Sequence, residues 1–288
     1  MCKCVKLDKG NMHQLKALND FRLNFNLLNE DFFSTYYSSN FFQRIFLKKT
    51  VALLMYHDKY IGYLWVNLYD KNFYTINSLS INNTKHINKH ISILLSTLKK
   101  GFTASYMCEN NGYNINILES VGFKKNHGTI KMTLDVKENF RYSMNNNLNF
   151  KILEIGKEEA IRCKIQNEVF KNDNRVPLTV TDIYFDQCQD YYFKPGAILV
   201  IKDNKYIGYG QIIIENNLPT IVNVGILKEY RGKGYGKDLI KYLINIVKNN
   251  SFDKVNIKVD WQNKVALALY EGCGFKIVKE RYEMKLKI

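Results

Sequence analysis

The sequence predicts an α/β fold that occurs twice along the chain. The chain has 288 residues, enough for two domains of ordinary size, and 46% of them are hydrophobic. Alternating apolar runs, typical of strands, are interspersed with amphipathic runs typical of helices. The pentapeptide Lys59–Tyr63 recurs as Lys205–Tyr209, and Asn111–Phe123 parallels Asn263–Phe275. We therefore predict a tandem repeat of one fold.

The first half begins with a helical pattern over residues 1–50. An aromatic-rich part of it, from Phe32 to Phe42, is expected to pack in the core; the alternative is the wall of an acceptor pocket. The runs Val51–Met55 and Lys59–Val66 then predict two strands joined by a turn.

A polar stretch, Glu138–Asn149, predicts the linker, so the expected domains span residues 1–142 and 143–288. The second domain begins with a strand over Phe150–Ile155 and an amphipathic helix over Glu158–Phe170. Three successive antiparallel strands and one later strand are predicted at Ile198–Ile201, Tyr206–Ile214, Thr220–Leu227 and Val255–Val259.

A glycine-rich segment, Tyr230–Lys237, lies between the third of these antiparallel strands and an amphipathic helix. Glycines at alternate positions let the backbone turn tightly and approach a ligand closely. The free N–H groups and positive dipole end of the following helix make a phosphate or pyrophosphate the natural occupant. Arg231, Lys233 and Lys237 add positive charge beside it.

The spacing within this segment separates several kinds of phosphate loop. A P-loop requires four residues between its first glycine and Gly-Lys-Ser/Thr; here the spacing differs and no Ser or Thr follows Lys237. A dinucleotide fingerprint requires G-x-G-x-x-G, and Lys237 occupies its third glycine position. Arg231-x-x-Gly234-x-Gly236 does fit a known pattern. It resembles the acetyl-CoA pyrophosphate loop of the GNAT superfamily of N-acetyltransferases, which reads Q/R-x-x-G-x-G/A.

A second motif extends this resemblance. Asn263–Phe275 matches the pattern N-x-x-A-x-x-L-Y-x-x-x-G-F that the same family carries after its fifth strand. The resemblance covers about half of the chain, from about Phe150 to Ile288. The resemblance implies two GNAT-like domains, each a mixed, mostly antiparallel twisted sheet flanked by helices.

The resemblance also implies an acetyl-CoA-dependent N-acetyltransferase that passes the acetyl group directly to a primary amine. Tyr270 would be the catalytic acid that protonates the leaving thiolate, and a backbone N–H near Ile226 would polarise the thioester carbonyl. The cofactor-binding residues would be Ile226, Leu227, Arg231, Gly232, Lys233, Gly234, Tyr235, Gly236, Lys237 and Asn263. No metal is expected. The alternative is a non-catalytic acyl-CoA-binding or regulatory module that has kept the fold.

The general base and the acceptor stay open. The family often uses a glutamate on the fourth strand, where this sequence has Asn223 and Gly225. Candidate bases elsewhere are Glu215, Asp182, Asp186 and Glu109. The acceptor is expected to be a small-molecule amine or a peptide amine, and the family places its specificity in the helix–loop–helix stretch that contains Asp182, Asp186, Asp190, Tyr191 and Tyr192.

The first copy of the repeat lacks the glycine loop. Aligning the two halves places Lys85, His86, Asn88 and His90 at the positions of Arg231, Gly232, Gly234 and Gly236. Side chains there would fill the space that a pyrophosphate needs. His86 and His90 have the spacing of a helical metal pair but no convincing third ligand. We expect the first domain to serve as scaffold or as part of the substrate pocket.

Composition limits the expected binding partners and the expected cellular compartment. The formal net charge is +15, but the basic residues are dispersed rather than clustered, so nucleic acid is not the expected partner. No long apolar run or export signal is present, and the six cysteines form no disulfide or zinc pattern. We expect a cytoplasmic protein without a membrane partner, as a monomer or homodimer.

Overall fold

The structure is a computed structural model, and it describes residues 2–82, 85–136, 147–172 and 175–288. The chain divides into two compact units, the first formed by Met1–Thr129 with Lys279–Ile288 and the second by Ile130–Val278. The expected boundary at residues 142 and 143, and most of the expected linker, lie outside the described residues. The first unit therefore includes the C-terminal segment Lys279–Ile288, whereas the second unit is one continuous range.

The first half contains six strands and six helices among its described residues. They are β1 (Cys2–Lys6), α1 (Met12–Asp20), α2 (Arg22–Phe25), α3 (Phe32–Ser38), α4 (Phe41–Lys49), β2 (Val51–Tyr56), β3 (Lys59–Asp70), β4 (Phe73–Ile81), α5 (Ile87–Leu95), β5 (Thr103–Glu109), α6 (Asn114–Ser120) and β6 (Lys124–Asp135). Strands β1 to β5 lie side by side in chain order, and only β4 and β5 among them are parallel.

The second half repeats the order of strands, with two helices in place of four between its first and second strands. Its elements are β7 (Asn149–Ile152), α7 (Glu159–Val169), α8 (Val180–Gln187), β8 (Tyr192–Lys202), β9 (Lys205–Glu215), β10 (Leu218–Ile226), a 3-10 turn (Lys228–Tyr230), α9 (Tyr235–Asn249), β11 (Lys254–Asp260), α10 (Lys264–Glu271) and β12 (Lys276–Lys287). In the second unit the sheet order is β6-β11-β10-β9-β8-β7, and β10 and β11 are the parallel pair, connected through α9.

The fold confirms the predicted α/β class and corrects two local expectations. Cys2–Lys6 forms a strand rather than a helix, because its backbone pairs with the distant strand β2 from Cys2–Tyr56 to Lys6–Ala52. The aromatic stretch is only partly in the core. Phe32 and Phe33 are buried in the first-unit core, but Phe41 and Phe42 are exposed to solvent.

The core of the second unit lies beneath α9. This helix has a strongly amphipathic sequence and turns Leu239, Ile240, Leu243 and Ile244 inward against the sheet. Burial of such side chains stabilises the helix and fixes the position of its N-terminus at one edge of the sheet. Over the described residues, no helix combines the length and apolarity needed to cross a membrane.

Candidate functional site

Strands β10 and β11 separate soon after they begin to pair. Their ladder joins only Thr220–Ile221 to Asn256–Ile257. Beyond it, β10 contains a bulge, seen as a register shift against β9 between Val222 and Gly225, and Asn223 within the bulge has a φ of +55°. A bulge bends its strand away from a neighbour. The result is a groove of about 880 Å³ between the two strands and the N-terminus of α9.

The edge of β10 presents backbone groups to this groove. The N–H of Leu227 donates to the carbonyl of Ile207 on β9 at 2.8 Å. Because hydrogen-bonding direction alternates along a strand, the N–H of Ile226 points to the opposite side, toward β11. Ile226 lines the groove, whereas Leu227 is packed in the adjacent apolar cluster. The N–H of Ile226 is therefore available to a ligand at this edge of β10.

The glycine segment forms the end of the groove. Gly232 and Gly234 have φ values of +77° and +83°, which glycine adopts without strain. Among the described residues, the N–H groups of residues 232–236 donate to no backbone or side-chain acceptor. These amides lie at the N-terminus of a helix of 15 residues, where the dipole favours negative charge. Such an arrangement can accept an anion, and we call residues 232–236 the cradle.

Cations surround the cradle in different ways. Arg231 is held in place, since its Nε donates to the Ile226 carbonyl at 2.8 Å and its Nη2 to the Val169 carbonyl at 3.3 Å. Lys237 is exposed and lines the groove, while Lys233 does not line it and lies over the ring of Tyr230. Arg175 also lines the groove. Sequence reasoning missed Arg175 because it lies outside both motifs, in a loop that folding brings to the groove.

Two predicted residues of α10 face the same groove. Asn263 caps the helix, because its Oδ1 accepts from the N–H of Ala266 at 3.1 Å. Tyr270 is 8% exposed and lines the groove. Burial, with a smaller contribution from Cys273, raises the pKa of Tyr270 to about 12. Because this pKa lies far above neutral pH, the hydroxyl is protonated there. It has no hydrogen-bond partner within the described part of the chain and can donate to a ligand.

Comparison with known proteins identifies this half of the chain. Residues 162–275 match the profile of the Acetyltransferase (GNAT) family. This chain carries a GNAT acetyltransferase domain. The profile spans the bulge, the glycine segment and α10, so each predicted motif lies within the GNAT domain or at its edge.

Similar proteins agree with this family. An N-alpha-acetyltransferase of Saccharolobus solfataricus is 32% identical over 94 residues, which are 28% of this chain and 56% of that protein. The chain thus spans about half the length of the curated relatives it matches. A GCN5-related N-acetyltransferase from Sphaerobacter thermophilus has a TM-score of 0.55 at 13% identity, covering 82% of this chain and 80% of the other. A GNAT-family acetyltransferase from Colwellia psychrerythraea covers 100% of both chains with a TM-score of 0.51 at 11% identity. These two structures show the fold over both units.

A buried polar network supports the bulge of the GNAT domain. Asn223 Nδ2 donates to Gln211 Oε1 at 3.1 Å, and Gln211 Nε2 donates to Asp186 Oδ2 at 3.0 Å. Arg162, which is 2% exposed, donates to Asp186 at 2.6 Å and to Gln211 at 3.1 Å. Val169 at the end of the same helix packs on Gly225 so closely that a Cβ there would lie 2.0 Å from Val169 Cγ1. Helix α7 therefore holds the bulge from behind.

The structure does not bring the candidate bases into the groove. Asp186 accepts from Arg162, Gln211 and the Tyr191 hydroxyl. The Asp182 carboxylate completes the capping box of α8 by accepting from the N–H and the hydroxyl of the N-cap residue Thr179. Glu215 pairs with Lys258 at 3.7 Å. Glu109 lies in the first unit, where Lys279 and Arg281 hold the pKa of its carboxyl below the ordinary value against the effect of burial. Asp260 lines the groove and was not among the predicted candidates.

The equivalent position in the first unit is filled by its own chain. Strands β4 and β5 pair from Phe73–Thr103 to Ile76–Tyr106, and the side chains of Asn26 and Asn29 occupy the strand edges beyond. Asn26 donates to the Met107 carbonyl at 2.8 Å and accepts from the Glu109 N–H at 3.0 Å. Asn29 likewise donates to the Leu79 carbonyl at 2.8 Å and accepts from the Leu79 N–H at 3.2 Å.

The loop that precedes α6 holds this segment in place. Asn114 Nδ2 donates to the Phe25 carbonyl at 2.8 Å, and the Tyr113 hydroxyl donates to the Asn24 carbonyl. These residues belong to the first copy of the downstream motif. At the N-cap of α5, His86 takes a left-handed conformation with φ +58°, as Gly234 does at the N-cap of α9. His86 therefore aligns with Gly234 and not with Gly232, a shift of two residues from the predicted alignment of the two halves. His90 is buried beside the Tyr56 ring.

Proposed function

We propose that the second unit transfers an acetyl group from acetyl-CoA to an amine, and that the chain has this one active site. The observation that carries the proposal is the set of free amides at residues 232–236 beside an open gap between β10 and β11. The same gap in the first unit is occupied by Asn26 and Asn29. The first unit would then act as a scaffold.

The groove fits coenzyme A by its chemistry. The cradle has no Cβ at three positions and offers several N–H donors to a pyrophosphate, and Lys237 and Arg175 add positive charge. Arg231 fixes the end of β10 to α7 and so holds the cradle in position rather than serving as a mobile charge. A pantetheine arm would lie in the gap beside β10 like an additional strand, with its amide groups hydrogen-bonded to the free edge of β10. Asn263 would hydrogen-bond this arm while it continues to cap α10.

The chemistry would occur at Ile226 and Tyr270. Acetyl-CoA supplies the acyl group as a thioester. The neutral amine nitrogen forms the new bond to the carbonyl carbon, the carbon–sulfur bond breaks, and the amine releases a proton to solvent. The Ile226 N–H donates to the carbonyl oxygen as negative charge develops there. The Tyr270 hydroxyl would give its proton to the departing sulfur and then regain one from solvent, and its pKa of about 12 keeps it protonated at neutral pH before the transfer.

Two curated relatives are named N-alpha-acetyltransferase, one from Saccharolobus solfataricus and one from Schizosaccharomyces pombe, which favours an α-amine as the first acceptor to test. A small-molecule amine is the second candidate.

The six cysteines are free thiols, which suits a reducing compartment such as the cytoplasm.

Isothermal titration with acetyl-CoA tests the binding step. We expect one site per chain, and an affinity about tenfold to a hundredfold weaker in Gly234→Ala. Release of free thiol in the presence of peptides and small amines tests transfer. The absence of acetyl-CoA binding would overturn the proposal. Binding without thiol release from any amine would favour the alternative, a non-catalytic acyl-CoA-binding or regulatory module.

A further inference from the structure

Helix α4 of the first unit exposes its apolar side chains to solvent. Phe41, Phe42 and Phe46 are 71%, 72% and 65% exposed, and Ile45 is 37% exposed. On a helix of 3.6 residues per turn, these four side chains cover one face roughly 140° wide. None of the nine residues of α4 is buried, and Leu47, on another face, packs against the first-unit core. This continuous face, Phe41, Phe42, Ile45 and Phe46, is the α4 face.

The α4 face is presented by a fixed helix. Asn40 and Gln43 form a capping box, with hydrogen bonds of 3.0 and 2.9 Å between each side chain and the other residue's N–H. Arg44 ties α4 to the end of α3, because its Nε donates to the Tyr36 carbonyl at 2.9 Å and its Nη2 to the Tyr37 carbonyl at 2.8 Å. The helix is thus held by its cap and by these bonds, without burial of its apolar face.

Positive charge borders the α4 face. The sequence has no acidic residue between Asp31 and Asp58, while this segment contains Arg44, Lys48 and Lys49. The ammonium group of Lys49 lies over the Phe46 ring, 5.4 Å from its centroid. An apolar aromatic face beside basic side chains is the arrangement found in helices that lie in a membrane interface.

We propose that α4 docks on the surface of a membrane that contains anionic lipids. The phenylalanines would enter the boundary between headgroups and acyl chains, and Lys48 and Lys49 would lie against anionic headgroups. A second copy of the chain is a poorer occupant, because pairing two α4 faces would bring like charges together. The sequence expectation of no membrane partner depended on the absence of long apolar runs, and that criterion does not detect a helix lying on the surface.

Vesicle co-sedimentation of the full chain tests the proposal. We expect binding to vesicles of phosphatidylcholine with 30% phosphatidylserine, about tenfold weaker binding or none to phosphatidylcholine alone, and release by salt. This comparison uses only the wild-type chain, so it does not depend on whether a variant folds. Equal binding to both vesicles, or no binding to either, would overturn the proposal.

Variants then locate the contact. Phe42→Ser and Phe46→Ser should each weaken vesicle binding about tenfold, and Lys48→Glu more than fivefold. Phe185→Ser is the matched control, because Phe185 on α8 is 70% exposed and lies outside the α4 face. Equal weakening by the control would contradict the proposal. So would a concentration-dependent dimer in analytical ultracentrifugation that Phe42→Ser abolishes, since a second copy would then cover the face.

Discussion

Comparing the variants Gly234→Ala and Gly236→Ala distinguishes two effects on acetyl-CoA binding. One is the change in backbone conformation of the cradle, and the other is the addition of a side chain. Gly234 has a φ of +83° at the N-cap of α9. An alanine in this left-handed region costs about 1–2 kcal/mol. If the loop instead rotates a peptide to relieve that strain, it loses at least one N–H donor to the phosphate. A hydrogen bond to a charged group contributes about 1.5–3 kcal/mol, so Kd for acetyl-CoA should rise about tenfold to a hundredfold.

Gly236 provides the matched control. Its φ is not positive, and a Cβ there would lie 3.6 Å from Leu269 Cδ2, an ordinary contact. Alanine inside a helix is favoured over glycine by up to about 1 kcal/mol, so Gly236→Ala should stabilise the protein slightly. We expect its Kd to stay within about threefold of wild type, in keeping with the family pattern, which accepts alanine at this position.

Titration calorimetry for Kd and urea unfolding for the free energy of unfolding check both variants. The reasoning is refuted if Gly234→Ala binds acetyl-CoA like the wild type with unchanged stability. It is equally refuted if Gly236→Ala weakens binding as much as Gly234→Ala, because steric filling of the groove would then outweigh backbone conformation.

Four further predictions follow from contacts in the two units. Tyr270→Phe should lower kcat about a hundredfold with KM for acetyl-CoA within about threefold, and an equal rise in KM would argue for a binding role. Asn29→Ala leaves both strand-edge groups of Leu79 unpaired, so urea unfolding should show a loss of about 3 kcal/mol while the acetyl-CoA stoichiometry stays at one. Arg162→Met breaks a buried pair and should cost about 2–4 kcal/mol, against under about 0.5 for the exposed Lys157→Met. Burial raises the pKa of Tyr63 from 10.0 to about 12 in the folded protein. The same tyrosine ionises first in the unfolded chain, so the free energy of unfolding should fall as the pH rises from about 10 to about 12. Tyr63→Phe should reduce that fall by about 2–3 kcal/mol.

Several features were predictable because they depend on residues close together in sequence. The glycine spacing in Arg231–Gly236 dictates a left-handed turn before a helix, whatever the surrounding structure. Asn263 caps α10 through an N–H three residues away. The repeated pentapeptide falls in β3 and β9, at corresponding places in the two halves. Local backbone preference and side-chain period were sufficient for these elements.

Other features depend on residues that only folding brings together. Asn26 meets Met107, and Arg231 meets Val169, across separations of dozens of residues that no local pattern encodes. The strand at Cys2–Lys6 exists because β2 supplies its hydrogen-bond partners, not because its own side chains demand it.

The sequence by itself determined that the second half of this protein keeps a glycine turn before a helix and that the first half does not. The tertiary structure decided which side chains fill the corresponding gap in the first half, which side chains hydrogen bonds hold in place, and which aromatic residues leave the core. The physical reason is that a turn depends on a few adjacent dihedral angles. A filled gap or an exposed face depends on packing between segments far apart in the chain.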